Sequence, residues 1–182
     1  MVDLKKQYNF IKDEVALAMQ EVMDTSAFIN GPMVQAFQKD LEQYLNVKHV
    51  IPCANGTDAL QIALMALNIG PGDEVIVPAP YWTSYADIVA FCQANLVPVA
   101  CTGETNFKLS PAQLSAAITS KTKWLLLNSP GNPSGALYSP QELSALADVL
   151  RANPHVWILA DEIYQHISYD TFTSFREIAP DL

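Results

Sequence analysis

The 182-residue sequence predicts an α/β fold: three layers, with helices covering both faces of a mostly parallel sheet. Three observations predict it. Short apolar runs alternate with stretches of helical length, the pattern of successive βαβ units. The runs at residues 124–127 and 156–160 carry no polar side chain, as strands buried on both faces do. Turn punctuation separates the runs, most clearly at Gly70-Pro71-Gly72-Asp73 and across residues 129–135.

Taken in order, Leu4, Tyr8, Ile11, Val15, Met19 and Val22 recur at helical spacing and predict an amphipathic helix over 4–24. Asn30-Gly31-Pro32 ends a break at 26–32, and a second helix runs over 33–45. The apolar faces of both helices fit packing on a core or on a partner chain. Residues 49–53 read as a short strand, 57–67 as a helix, 74–77 as a strand, and 83–94 as a helix. Strands follow at 96–100, 124–127 and 156–160, with helices at 111–118 and 140–152 between them. The organisation expected is a helical segment, 1–45, followed by an α/β domain, 46–182. There is no internal repeat and no low-complexity segment.

Half the residues are hydrophobic and 16% are charged, which suits a chain with a substantial core and argues against disorder. The formal charge of −9, from 19 acidic and 10 basic residues, argues against a nucleic-acid-binding surface, which needs clustered Lys and Arg. It leaves room for an anionic ligand, because a helix N-terminus binds phosphate without net positive charge. Cys53, Cys92 and Cys101 are widely spaced and form no CxxC pair. They read as buried, reduced thiols of a cytoplasmic protein, with no zinc site or disulfide framework. His49, His155 and His166 show no metal-ligand spacing, so no metal is expected. No secretory signal opens the chain, and no apolar run is long enough to span a membrane.

Four places carry residues suited to chemistry. In Asn55-Gly56-Thr57-Asp58 a strand gives way to a helix, whose first N–H groups and dipole fit either an ordinary N-cap or an anion site. In Pro78-Ala79-Pro80-Tyr81-Trp82 the aromatics follow a strand, where Trp82 either packs or stacks on a planar ring. In Asn132-Pro133-Ser134-Gly135 the proline biases Asn132 toward extended backbone, fitting a turn or an amide aimed into a crevice. Asp161 ends an apolar strand, the position where open α/β sheets place ligands, and Tyr164 follows three residues on. Glu162 reads as structural or solvent-facing. The run 156–162 also has the look of an ATPase Walker B strand, but no GxxxxGKS/T loop accompanies it.

All four of these stretches carry a resemblance. The run INGPxVxxFxxxLxxYLxVKHxIxxxNGTDAL over 29–60 closely resembles the DegT/DnrJ/EryC1/StrS sugar aminotransferases. The runs PAPYWxSY, NPSG (for the usual NPTG) and ADEIY resemble class I, aspartate-type aminotransferases. Both groups are fold-type I enzymes that use pyridoxal 5′-phosphate (PLP). The resemblance implies part of their large domain, transfer of an amino group from an amino acid to a keto acid or keto sugar, and a homodimer. It also implies a role for each residue. Gly56 and Thr57 would hold the phosphate, Trp82 would stack on the pyridine ring, and Asn132 and Tyr164 would contact the 3-oxygen. Asp161 would pair with the ring nitrogen and favour its protonated form.

The two likenesses, 1–79 and 70–182, overlap in the shared run 70–78, which suggests a chimera or designed sequence joined there. The SKxxxxxGxR run that carries the Schiff-base lysine of class I enzymes is not found in these residues, and Lys108, Lys121 and Lys123 match no catalytic position. The expectation is a chain with no catalytic residue of its own, binding PLP weakly and non-covalently and inactive by itself. The alternative is a non-catalytic scaffold or fragment.

Overall fold

A computed structural model describes residues 3–182 as two compact units, 3–54 and 55–182. The first unit contains α1 (Leu4–Thr25) and α2 (Pro32–Leu45). Asp3 caps α1 by accepting the Lys6 N–H, and Ser26 and Asn46 end the two helices in left-handed conformation. Gly31 is required between them by space, since a Cβ there would lie 2.4 Å from the Ala27 carbonyl oxygen. No described side chain of α1 or α2 is buried, and Phe10 is 91% exposed.

The second unit holds α3 (Gly56–Ala66), β1 (Glu74–Ala79), α4 (Ser84–Phe91), β2 (Asn95–Ala100), α5 (Pro111–Ala117), β3 (Thr122–Asn128), α6 (Pro140–Arg151), β4 (Trp157–Asp161) and α7 (Phe175–Ile178). The four strands form one parallel sheet in the order β2-β1-β3-β4. Side chains of a strand alternate between faces, and here the alternation builds two cores. Ile76, Leu125 and Leu127 meet Leu114 of α5, Leu143, Leu146 and Leu150 of α6, and Phe175 of α7. Val75, Val77, Trp124 and Leu126 meet Leu64 of α3 and Tyr85, Ile88 and Val89 of α4. This is the three-layer α/β arrangement that the alternating pattern predicts.

Local signals set the helix ends. Ser110 with Gln113, and Ser139 with Glu142, form reciprocal capping boxes, each followed by Pro at the first helical position. Glu142 also pairs with Lys108 at 2.6 Å. Partial burial raises the Glu142 carboxyl, but the Lys108 contact and the Ser139 hydrogen bonds outweigh it and hold the group below its ordinary range.

Several expectations need correction. Residues 49–53 form no strand, because no strand of the sheet pairs with them. The helix expected over 83–94 stops at Phe91, where Gln93 turns into positive φ. The run 156–160 is not buried on both faces: β4 is an edge strand, and Trp157 is 57% exposed. Of the three thiols only Cys101 is buried, while Cys53 is exposed. Among the described residues, no helix is long and apolar enough to cross a membrane, and no cluster of His, Cys, Asp and Glu is placed to hold a metal.

Leu125→Ala, at a fully buried position in the central strand, is expected to destabilise the chain by roughly 2–5 kcal/mol, read from urea unfolding. Because the Glu142 carboxyl is depressed in the folded chain, its stabilising contribution is complete above the unfolded carboxylate range. That contribution disappears as pH falls through the folded value. The urea midpoint of Glu142→Gln should therefore fall less on acidification below about pH 4.5 than that of the parent chain.

Candidate functional site

The carboxyl ends of β3 and β4, with residues that follow β1, line one cavity of about 520 Å³. Gly56, Thr57, Trp82, Asn132, Asp161 and Tyr164 all line it. They come from four separate stretches of chain, brought together because parallel strands end at the same edge of the sheet.

At one side stands the N-terminus of α3. Asn55 caps it by accepting the Asp58 N–H at 2.9 Å, and its side-chain amide donates to the Asp58 carboxylate at 3.0 Å. Asn55 and Asp58 thus satisfy each other. Among the described residues, the N–H groups of Gly56 and Thr57 have no protein acceptor. A helix of this length presents these free donors together with its positive dipole end. No lysine or arginine lines the cavity, so the attraction for an anion here comes from neutral donors and the helix dipole.

The opposite wall is a hydrogen-bonded set. Asn128 ends β3 directly beside Asp161 in the parallel register. Its amide nitrogen donates to the Asp161 carbonyl at 2.9 Å, and its amide oxygen accepts the Asn132 N–H at 2.7 Å. This ties the turn after β3 to the end of β4. The Asn132 amide in turn donates to the Tyr164 hydroxyl at 3.2 Å, so the two groups converge on one point. The peptide bonds before Pro80, Pro130 and Pro133 are cis.

The Asp161 carboxylate accepts from the Tyr85 hydroxyl at 2.5 Å and from the Ile163 N–H at 3.3 Å. Tyr85 is 1% exposed, and its ring meets Trp82 edge-on, with centroids 5.4 Å apart at 88°. Burial, and then the Asp161 carboxylate, push the Tyr85 phenol well above its ordinary value. Glu162 turns away to accept from Ser174 Oγ at 2.8 Å and the Phe175 N–H at 2.7 Å, a structural role at the start of α7.

Sequence reasoning missed Tyr85 and Asn128. Tyr85 looks like one more apolar helix residue, and Asn128 like part of a turn. The local signals were the end-of-strand position of Asn128 and the place of Tyr85 as the last residue of the PAPYWxSY run.

The sequence matches the family profile described as aminotransferase class I and II over residues 5–182. The chain belongs to the class I and II aminotransferase family. Its α/β unit is thus part of a fold-type I large domain, and PLP dependence is a property of this family. An aspartate aminotransferase from Rhizobium meliloti is 48% identical over 122 residues, covering 67% of this chain and 30% of that enzyme. A probable aspartate/prephenate aminotransferase from Rickettsia felis is 44% identical over 180 residues, covering 94% of this chain and 44% of that protein. The crystal structure of the aspartate aminotransferase from Rhizobium meliloti superposes with a TM-score of 0.76 at 38% identity, covering 92% of this chain and 45% of that one. The chain therefore spans less than half the length of each of these relatives.

Asn128→Ala is expected to cost about 1–3 kcal/mol in urea unfolding, because it leaves the partly buried Asn132 N–H without its acceptor and the Asp161 carbonyl with the Ser129 N–H alone.

Proposed function

We propose that this chain provides the cofactor-facing half of a PLP-dependent aminotransferase site of the aspartate/prephenate type. One observation carries the reading. Free helix-terminal amides, an indole face, a convergent amide–phenol pair and an orientated carboxylate all line a single cavity. This donor set matches a planar, phosphorylated pyridine: an anion, a flat ring, an oxygen substituent and a ring nitrogen.

In this reading Gly56 and Thr57 bind the phosphate through their N–H groups, and Trp82 covers one face of the ring. Asn132 and Tyr164 contact the ring oxygen. Asp161 holds a proton on the ring nitrogen, since a carboxylate there favours the cationic form. Bound PLP supplies the electron sink that amino-group transfer needs. The amino donor suggested by the relatives' names is aspartate, with a keto acid as acceptor. A homodimer in the cytoplasm is part of the same proposal.

No lysine lines the cavity, so the 182 residues by themselves are expected to bind without turning over. A measurable aminotransferase rate from the purified chain would overturn that expectation. The alternative, a non-catalytic scaffold, predicts neither binding nor turnover. A single class I lineage accounts for the matches more simply than a join at 70–78, because the family match runs from residue 5 to 182. The sugar-aminotransferase likeness of residues 29–60 would then be a local similarity.

Titrating the chain with PLP should quench tryptophan fluorescence saturably. Asp161→Ala should weaken binding by about tenfold or more, equivalent to about 1.4 kcal/mol. Pyridoxal, which lacks the phosphate, should also bind more weakly. Absence of saturable quenching, or equal affinity for PLP and pyridoxal, would sink the assignment.

A further inference from the structure

We propose that Tyr85 is a positioning residue, holding the Asp161 carboxylate in the orientation from which it meets the cofactor. The inference rests on the cofactor reading above, and it concerns a residue that ends the PAPYWxSY run but was given no role there.

Tyr85 lies in the first turn of α4, fully within the core that α3 and α4 make with the sheet. A buried phenol must find an acceptor. Its acceptor is one oxygen of a carboxylate 76 residues further along the chain. The other oxygen of Asp161 takes the Ile163 N–H. With both oxygens engaged, the side chain is confined to one rotamer, whereas an aspartate held at one oxygen is freer to move between staggered wells.

The donor's chemistry suits the task. A protonated phenol orients the carboxylate without neutralising it, as a lysine or arginine partner would, so the negative charge remains available for a protonated ring nitrogen. Glu162, the nearest other acid in sequence, is engaged by Ser174 and Phe175, and the Tyr164 hydroxyl is engaged by Asn132. The same ring packs edge-on against Trp82, so a single core residue supports both the stacking surface and the carboxylate.

Two variants separate these contributions. Tyr85→Phe removes the hydroxyl and keeps the ring against Trp82. Tyr85→Leu removes both. The first readout uses the cofactor-free chain: side-chain coupling constants of Asp161 by NMR. They should report one χ1 rotamer in the parent and an average over rotamers in Tyr85→Phe. In the parent chain, the Tyr85 hydroxyl proton should also appear as a downfield signal that moves upfield in Asp161→Asn, a check that needs no Tyr85 variant to fold.

The second readout is PLP affinity by tryptophan quenching. Tyr85→Phe should weaken binding roughly tenfold when Asp161 is present and less than about twofold in the Asp161→Ala background. Tyr85→Leu should weaken it further. A single Asp161 rotamer in Tyr85→Phe, or an equal loss in both backgrounds, would overturn the inference. Failure of the parent chain to bind PLP would instead remove the cofactor reading and leave the rotamer and hydroxyl measurements to decide the role of Tyr85.

Discussion

Burial of β3 between two helical layers is the constraint on which the rest of the second unit depends. Trp124, Leu125, Leu126 and Leu127 point alternately into the two cores, and all four are buried. Like β1, β3 has partners on both edges, β1 on one side and β4 on the other. A slip of one residue would turn every apolar side chain to the opposite face, so packing specifies the register strongly. That register decides more than stability. It sets Asn128 beside Asp161 and so assembles the polar wall of the cavity.

The site begins where the apolar strands run out. From Trp124 to Leu127 in β3 and from Trp157 to Ala160 in β4 the side chains are apolar, and the next residue in each strand is Asn128 or Asp161. Each polar group at this edge has a protein partner that fixes its direction. Asn128 holds the Asn132 backbone, Asn132 meets Tyr164, and Tyr85 meets Asp161. The groups without protein partners are the first amides of α3. The cavity therefore combines an orientated negative charge with free N–H donors, an asymmetry suited to a ligand that is anionic at one end and cationic at the other.

Much of the fold was legible because it is local or periodic. Six helices and four strands lie where the spacing of apolar residues places them, to within a few residues. The errors share a cause. Residues 49–53 have strand-like composition but no neighbouring ladder to join, and a strand is defined by its partner. The run 156–160 reads as fully buried because composition cannot distinguish a central strand from an edge one. Cys53 reads as buried for its residue type, although it is exposed.

The site divides in the same way. The sequence by itself determined the βαβ order, and it placed Gly56 and Thr57 at a helix start and Trp82, Asn132, Asp161 and Tyr164 at or just after the ends of strands. Each stands in a short motif whose backbone preference is local. Only the tertiary structure decided that these junctions share one cavity, that Asn128 braces the turn, and that Tyr85 reaches Asp161. Those contacts join residues up to 76 positions apart. They follow from strand register and helix packing, which no window of neighbouring residues encodes.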